Sequence, residues 1–188
     1  MIAWVQTMPH SRPKTTYDAA ALYEYAVAAL GRQMRSVAEL KRLLRRRVAA
    51  GDQGEQLVEA VVARLKEQHY LNDTQYANAY IGYRRENQKF GRLRVQRDLK
   101  NKGIHGDIID RTVSDAYAGV DEEELARQFL ARKRIAPPAT DRETAKVFRA
   151  LLRAGFARGT IFAILQQWKV DDEVMAALES EIDSSPEA

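Results

Sequence analysis

The chain has 188 residues, 45% of them hydrophobic and 30% charged, with a net charge of +4. That balance suits a folded chain with a real core rather than a disordered one, and so small an excess of positive charge carries meaning only if it is concentrated. The absence of cysteine excludes disulfide staples, thiolate metal sites and a cysteine nucleophile, in keeping with a reducing compartment.

The N-terminus lacks a basic segment ahead of a long apolar run, so no secretory signal is expected. Ala19–Leu30 is apolar but broken by Glu24, and no run approaches the roughly 20 residues that cross a bilayer. These features lead to an expectation of a cytoplasmic protein with no membrane partner. Ser36 with Glu39 has capping-box spacing and opens a segment with Leu40 and Leu44 on one face. Val58, Val61, Val62 and Leu65 predict a second amphipathic helix. Asn72 with Gln75 opens a third, carrying Tyr76, Ala79 and Tyr80.

The next segment, Phe90–Ile104, reads FGRLRVQRDLKNKGI, with Val95 and Leu99 four apart among Arg92, Arg94, Arg97, Lys100 and Lys102, and only Asp98 opposing them. Ile108, Ile109 and Val113 follow at helical spacing, then a helix start at Asp121. Pro137 and Pro138 must break the chain before Thr140 and Glu143 open another helix, with Phe148, Leu151 and Leu152 on its apolar side. Ile161 with Leu165, then Val174, Met175 and Leu178 after a cap at Asp171, complete a nearly all-α reading.

The i,i+4 apolar pair recurs three times, at Leu40/Leu44, Val95/Leu99 and Ile161/Leu165, with offsets of 55 and then 66 residues. Ile104, Ile108 and Ile109 match Val170, Val174 and Met175 at the same relative spacing. This predicts three tandem three-helix units at 16–70, 71–120 and 121–180. Units this small must stack on neighbours to build a continuous core. Loosely ordered ends are expected at 1–15 and 181–188.

Catalytic signals are poor. His10, His69 and His105 lie far apart, and ordinary surface or half-buried histidines are the simpler reading than a metal site. Gly51 and Gly54 are not followed by P-loop residues. The acids from Asp121 to Glu124 are better explained by a helix N-terminus than by a metal. No catalytic residue, cofactor or metal is expected, and the protein is read as not an enzyme.

The basic clusters are the strongest signal. One comprises Lys41, Arg42, Arg45, Arg46 and Arg47; the second runs from Arg84 and Arg85 through Lys89 to Lys102; the third is Arg127, Arg132, Lys133 and Arg134. A solvated helix face accounts for most such residues. It accounts less well for the first two clusters, where acids are sparse and like charges at helical spacing cost a few tenths of a kcal/mol per pair. The candidate contact residues are therefore Arg84, Arg85, Lys89, Arg92, Arg94, Arg97, Lys100 and Lys102, with Arg42, Arg45 and Arg46. Arginine forks suit phosphates and carboxylates alike, so residue type does not separate a nucleic-acid backbone from an acidic protein. Tyr76, Tyr80 and Tyr83 either stack on exposed bases or form a core-facing stripe, and the stripe is the simpler reading.

LNDTQYANAYIGYR at 71–84 resembles the LDDxxFAxxxVxxR pattern of the RecX family, bacterial regulators of the RecA recombinase, with Asn72 for Asp and Tyr76 for Phe. GRLRVQRDLKNKGI at 91–104 is similar to its GxxRIxxELxxKGI, with Val95 for Ile and Asp98 for Glu. LLRAGF at 151–156 resembles LxRRGF, and SVAELKRLL at 36–44 resembles SxxELxxKL. The departures are conservative, except that the third middle helix has few charges. The resemblance spans roughly 19–178. It implies an elongated, curved body of tandem three-helix repeats, without catalytic residues. It also implies binding along RecA–DNA filaments, lowering ATPase, strand-exchange and coprotease activity and so restraining DNA repair and the SOS response. The expected partners are the RecA filament and single- or double-stranded DNA, the latter bound weakly and without sequence preference, by a monomer. The rival reading is a helix-turn-helix-like protein that binds DNA directly.

Overall fold

The computed structural model describes residues 16–183; the stretch 1–15, with Trp4 and His10, and the last five residues lie outside the described residues. All regular structure among the described residues is helical: α1 (Ala19–Arg32), α2 (Val37–Leu44), α3 (Asp52–Glu67), α4 (Asp73–Gln88), α5 (Arg92–Asn101), α6 (Gly106–Tyr117), α7 (Glu122–Arg132), α8 (Asp141–Ala154), α9 (Arg158–Gln167) and α10 (Asp172–Asp183). None is long and apolar enough to cross a membrane. The chain divides into two compact units, one ending at Leu71 and the other starting at Asn72.

The first unit holds α1–α3. The Ser36 hydroxyl accepts from the Glu39 amide at 3.0 Å, and the Glu39 carboxylate accepts from the Ser36 amide at 3.2 Å, so the capping box starts α2 as the spacing requires. Leu40 and Leu44 then point inward, and with Leu22, Ala26, Val58, Val62 and Leu65 they form a core closed to solvent. Each fully buried aliphatic side chain is worth about 1.5–3 kcal/mol, which is what holds so short a helix in place.

The second unit holds α4–α10. Asn72, Asp121 and Thr140 cap α4, α7 and α8 by accepting backbone amides. The acids at the start of α7 therefore serve the helix end: Asp121 accepts from the Glu123 and Glu124 amides at 2.9 and 3.0 Å, while Glu122 and Glu123 accept from Thr160 and Gln167 of α9. In α4 the inward residues are Tyr76, Ala77 and Ile81, with Ala79 turned out, so the stripe is rotated from the Tyr76–Ala79–Tyr80 expectation.

The internal repeat is visible in the helix bounds. The start of α9 follows that of α5 by 66 residues (158 − 92), and α10 follows α6 by the same 66 (172 − 106). Helix α8 likewise stands to α9 as α4 does to α5, whereas α7 has no counterpart before α4 and packs on α9. The ends of α5 and α9 also match. Gly103 and Lys169 both take left-handed backbone (φ 75 and 56°), and the following Ile104 and Val170 amides reach back to the Leu99 and Leu165 carbonyls at 3.2 Å. This is a Schellman ending with an apolar residue folded back onto the helix, the physical content of the matched Ile104 and Val170.

Candidate functional site

Helix α5 is pinned at its start and along one side. The Gly91 amide donates to the Ala154 carbonyl at 2.9 Å and the Leu93 amide to the Gly155 carbonyl at 3.0 Å, so orphan donors of α5 are met by acceptors at the end of α8. Val95 and Leu99 are 0% exposed and lock the inner face. Helical periodicity then turns Arg92, Leu93, Arg97 and Lys100 outward, and all four are exposed. The first turn of α5 contains no acid. The macrodipole favours anions there, so Arg92 and Arg94 at this end cost the helix a few tenths of a kcal/mol each.

Asp98 organises the arginines on the flank of α5. Its carboxylate accepts from Arg94 Nε at 2.9 Å and from the Tyr80 hydroxyl at 2.9 Å, with Arg84 Nε at 3.9 Å, and its side chain is only 13% exposed. Burial, then the hydrogen bond to Asp98, holds the Tyr80 hydroxyl above its ordinary pKa. Arg84 also donates to Gln88 and lies over the Tyr80 and Phe90 rings at 4.8 and 5.6 Å. Arg94 reaches the Arg153 carbonyl at 3.3 Å and the Phe90 ring at 5.6 Å. Arg85 donates to the Ala116 carbonyl in the last turn of α6 and pairs with Glu86 at 3.3 Å. Lys102 stands 5.7 and 5.3 Å from the Tyr76 and Tyr80 ring centroids. These four cations tie α4, α5, α6 and α8 together.

Arg92, Arg97 and Lys100 are different. They are exposed and form no ion pair among the described residues. Lys89, half-buried, ends α4 in left-handed backbone at φ 58°. In the first unit, Arg45 forks onto Glu55 at 2.8 and 2.5 Å, a pair that raises the arginine's pKa and lowers the carboxylate's, and Lys41 pairs with Glu59 at 2.5 Å. Arg47 covers Tyr17 and Tyr25. Arg42 and Arg46 are exposed without an ion pair among the described residues. The two clusters thus lie in different units, each mixing framework cations with outward ones.

Tyr76 is 7% exposed and belongs to the core stripe, Tyr80 is half-buried over the Asp98 cluster, and Tyr83 stands out at 55%. Sequence reasoning passed over two features. One is the organising role of Asp98, whose readable signal is the i,i+4 spacing from Arg94. The other is Leu93, an apolar residue 49% exposed between outward cations.

Residues 72–113, which contain all of α4 and α5 and most of α6, match the family described as RecX, second three-helix domain. The regulatory protein RecX of Myxococcus xanthus is 36% identical over 143 residues, covering 69% of this chain and 76% of its own length. That of Cronobacter sakazakii is 38% identical over 113 residues, covering 60% of this chain and 67% of its own. Among solved structures, the crystal structure of RecX from Lactobacillus salivarius superposes with a TM-score of 0.62 at 21% identity. It covers 80% of this chain and 96% of that one, a likeness of fold. With a patterned middle repeat and relatives matched over most of their length, the chain belongs to the RecX family of regulatory proteins.

Proposed function

We propose that this chain regulates a RecA-type recombinase by binding the recombinase–DNA filament and lowering its ATPase, strand-exchange and coprotease activities. Such a protein would modulate DNA repair and the SOS response. The observation that carries the reading is the outer face of α5, where Arg92, Arg97 and Lys100 are exposed without an internal acid while Arg84, Arg94 and Lys102 are built into the framework behind them. Arg42 and Arg46 of the first unit supply a second outward basic group. Of the α5 cations, Arg92 sits at the start of the helix against the dipole, and a negatively charged partner offsets that cost.

A filament hydrolyses ATP only if neighbouring subunits shift through the cycle. A ligand that binds one arrangement better than the other biases the filament by that difference in affinity. No proton transfer or bond cleavage is asked of this chain. The repeats at 16–70, 71–120 and 121–180 would each contribute a segment of the contact surface.

The test is DNA-dependent ATPase of a RecA recombinase with this protein added below one molecule per subunit. Suppression at that ratio, with weak and sequence-blind binding to bare DNA, is the expected result. The rival, a helix-turn-helix-like protein that binds DNA directly, rests on the basic helix within a three-helix unit. It requires strong sequence preference on bare duplex and no effect on the recombinase at low ratio.

A further inference from the structure

The second unit carries a groove that the outer face of α5 does not use. Its volume is about 840 Å³, within the range of ligand-binding clefts and sufficient for several side chains. The end of α7, the segment from Lys133 to Pro138 and one side of α8 form its walls, with Phe90 at the α4–α5 corner closing one end. The floor is apolar: Phe90, Phe129, Ile135, Val147, Ala150 and Ala154 line it. Pro137 and Pro138 stiffen the opposing edge, since their rings fix φ and offer no amide to water or to a strand partner.

The rim is predominantly basic. Lys133, Arg134, Lys146 and Arg153 are exposed and form no ion pair among the described residues, and Arg94 borders the same space. The one acid on the lining, Glu143, is engaged: its carboxylate accepts the Ala139 amide at 2.8 Å and holds the proline segment onto α8. The rim therefore presents four cations without an ion pair among the described residues, the Asp98-bound Arg94 and one hydrogen-bonded carboxylate around an apolar trough. Arg134 sits in left-handed backbone at φ 54°, a conformation a non-glycine residue adopts at a cost, and this fixes the point where the chain leaves α7.

We propose that this groove binds an acidic peptide segment of a partner protein, seating an aromatic or aliphatic anchor on the floor and carboxylates on the rim. The charge pattern fits any polyanion, but the floor favours a peptide. A phosphate backbone gains nothing from buried apolar surface. Base stacking needs an open ring face, whereas Phe129 is 5% exposed and Phe90 is covered by the Arg84 and Arg94 guanidinium groups at 5.6 Å each. An apolar anchor ringed by charge-paired contacts is the arrangement that concentrates binding energy in a few residues. The site is separate from the outward α5 cations and stands whether or not these contact a filament.

The probe is a fluorescein-labelled twelve-residue peptide with one central Phe flanked by Asp and Glu, followed by anisotropy on the full chain. Saturable binding is expected. Replacing the peptide's Phe by Ser weakens it about tenfold or more. Lys146→Glu with Arg153→Glu weakens it by a similar factor, and so does Ala150→Trp, which fills the floor. Arg111→Glu, on the exposed face of α6 and outside the groove, leaves it unchanged. Helicity by circular dichroism identifies folded variants, and the exposed pair at 146 and 153 serves if the tryptophan variant fails to fold. Equal binding of the Ser peptide, or no saturable binding at all, overturns the proposal. Loss of oligo(dT) binding in the groove variants while the peptide remains unbound reassigns the groove to nucleic acid. A changed sedimentation coefficient of the variants alone assigns it to a second copy. Full competition by inorganic phosphate leaves only an anion site.

Discussion

Gly91 and Gly155 meet backbone to backbone: a Cβ on Gly91 would lie 2.3 Å from the Gly155 carbonyl oxygen, and one on Gly155 would lie 2.1 Å from the Arg94 nitrogen. Gly155 ends α8 in left-handed backbone at φ 86°, and Gly91 begins α5. The two helices can trade carbonyls for amides only because neither residue has a side chain. The contact also sets where Arg92, Arg94 and Arg97 emerge.

Gly155→Ala should therefore destabilise the second unit by about 2–4 kcal/mol, combining the left-handed penalty with a clash against backbone that cannot retreat. Gly91→Ala should cost less, having ordinary backbone (φ −70°) but the same crowding. Urea unfolding followed by circular dichroism measures both. A change within 0.5 kcal/mol for Gly155→Ala would mean that the two helix ends do not touch as described.

The two Schellman endings predict opposite effects at equivalent positions. Lys169→Gly should raise stability by up to about 1 kcal/mol, because glycine takes φ near 56° without the Cβ penalty. Gly103→Ala should lower it by about 1 kcal/mol for the same reason reversed. Thermal unfolding of the pair reads both signs in one experiment.

Asp98 and Arg97 are neighbours with different duties. Asp98→Ala leaves Tyr80 and Arg94 without their shared acceptor and Arg84 without its ion-pair partner, and should cost about 2 kcal/mol. Arg97→Ala removes an exposed side chain and should stay within about 0.5 kcal/mol of the parent. Equal losses would place Arg97 in the framework and remove it from the contact surface.

Tyr117 gives the fold a pH dependence at the alkaline end. Burial pushes its hydroxyl up to about 12 while it donates to the Phe90 carbonyl at 2.8 Å. The folded state therefore holds this proton more tightly than the unfolded chain, where the group titrates near 10. Its contribution is full below pH 10 and falls between pH 10 and about 12, by at most about 2 kcal/mol. Tyr117→Phe should be less stable at neutral pH by about 1 kcal/mol, and its stability should decline less steeply above pH 10. Parallel decline in both proteins would show that another group carries the effect.

Local signals carried the helix starts. Ser36, Asn72 and Thr140 all accept the amide three residues on, because a cap involves only the next turn, though only Ser36 with Glu39 closes the full reciprocal box; the Glu143 carboxylate takes the Ala139 amide instead. The pairs Leu40/Leu44, Val95/Leu99 and Ile161/Leu165 are all buried, since amphipathic periodicity decides which face a helix hides. What the spacing did not show is long-range. Arg84 of α4 reaches Asp98 of α5, and Arg94 meets the Arg153 carbonyl 59 positions away. Which of the basic residues face outward was thus hidden, although the cluster itself was plain. The groove was equally hidden, because Lys133 and Arg134 were visible as a cluster but Lys146 and Arg153 join them only through folding.

The outward cations of α5 carry the proposed contact, and the direct measurement is recombinase ATPase on single-stranded DNA with Arg97→Glu/Lys100→Glu compared with the parent at equal, substoichiometric amounts. The prediction is suppression by the parent and none by the variant, with circular dichroism and urea midpoint unchanged. Full suppression by the folded variant would contradict the assignment of these residues to the contact.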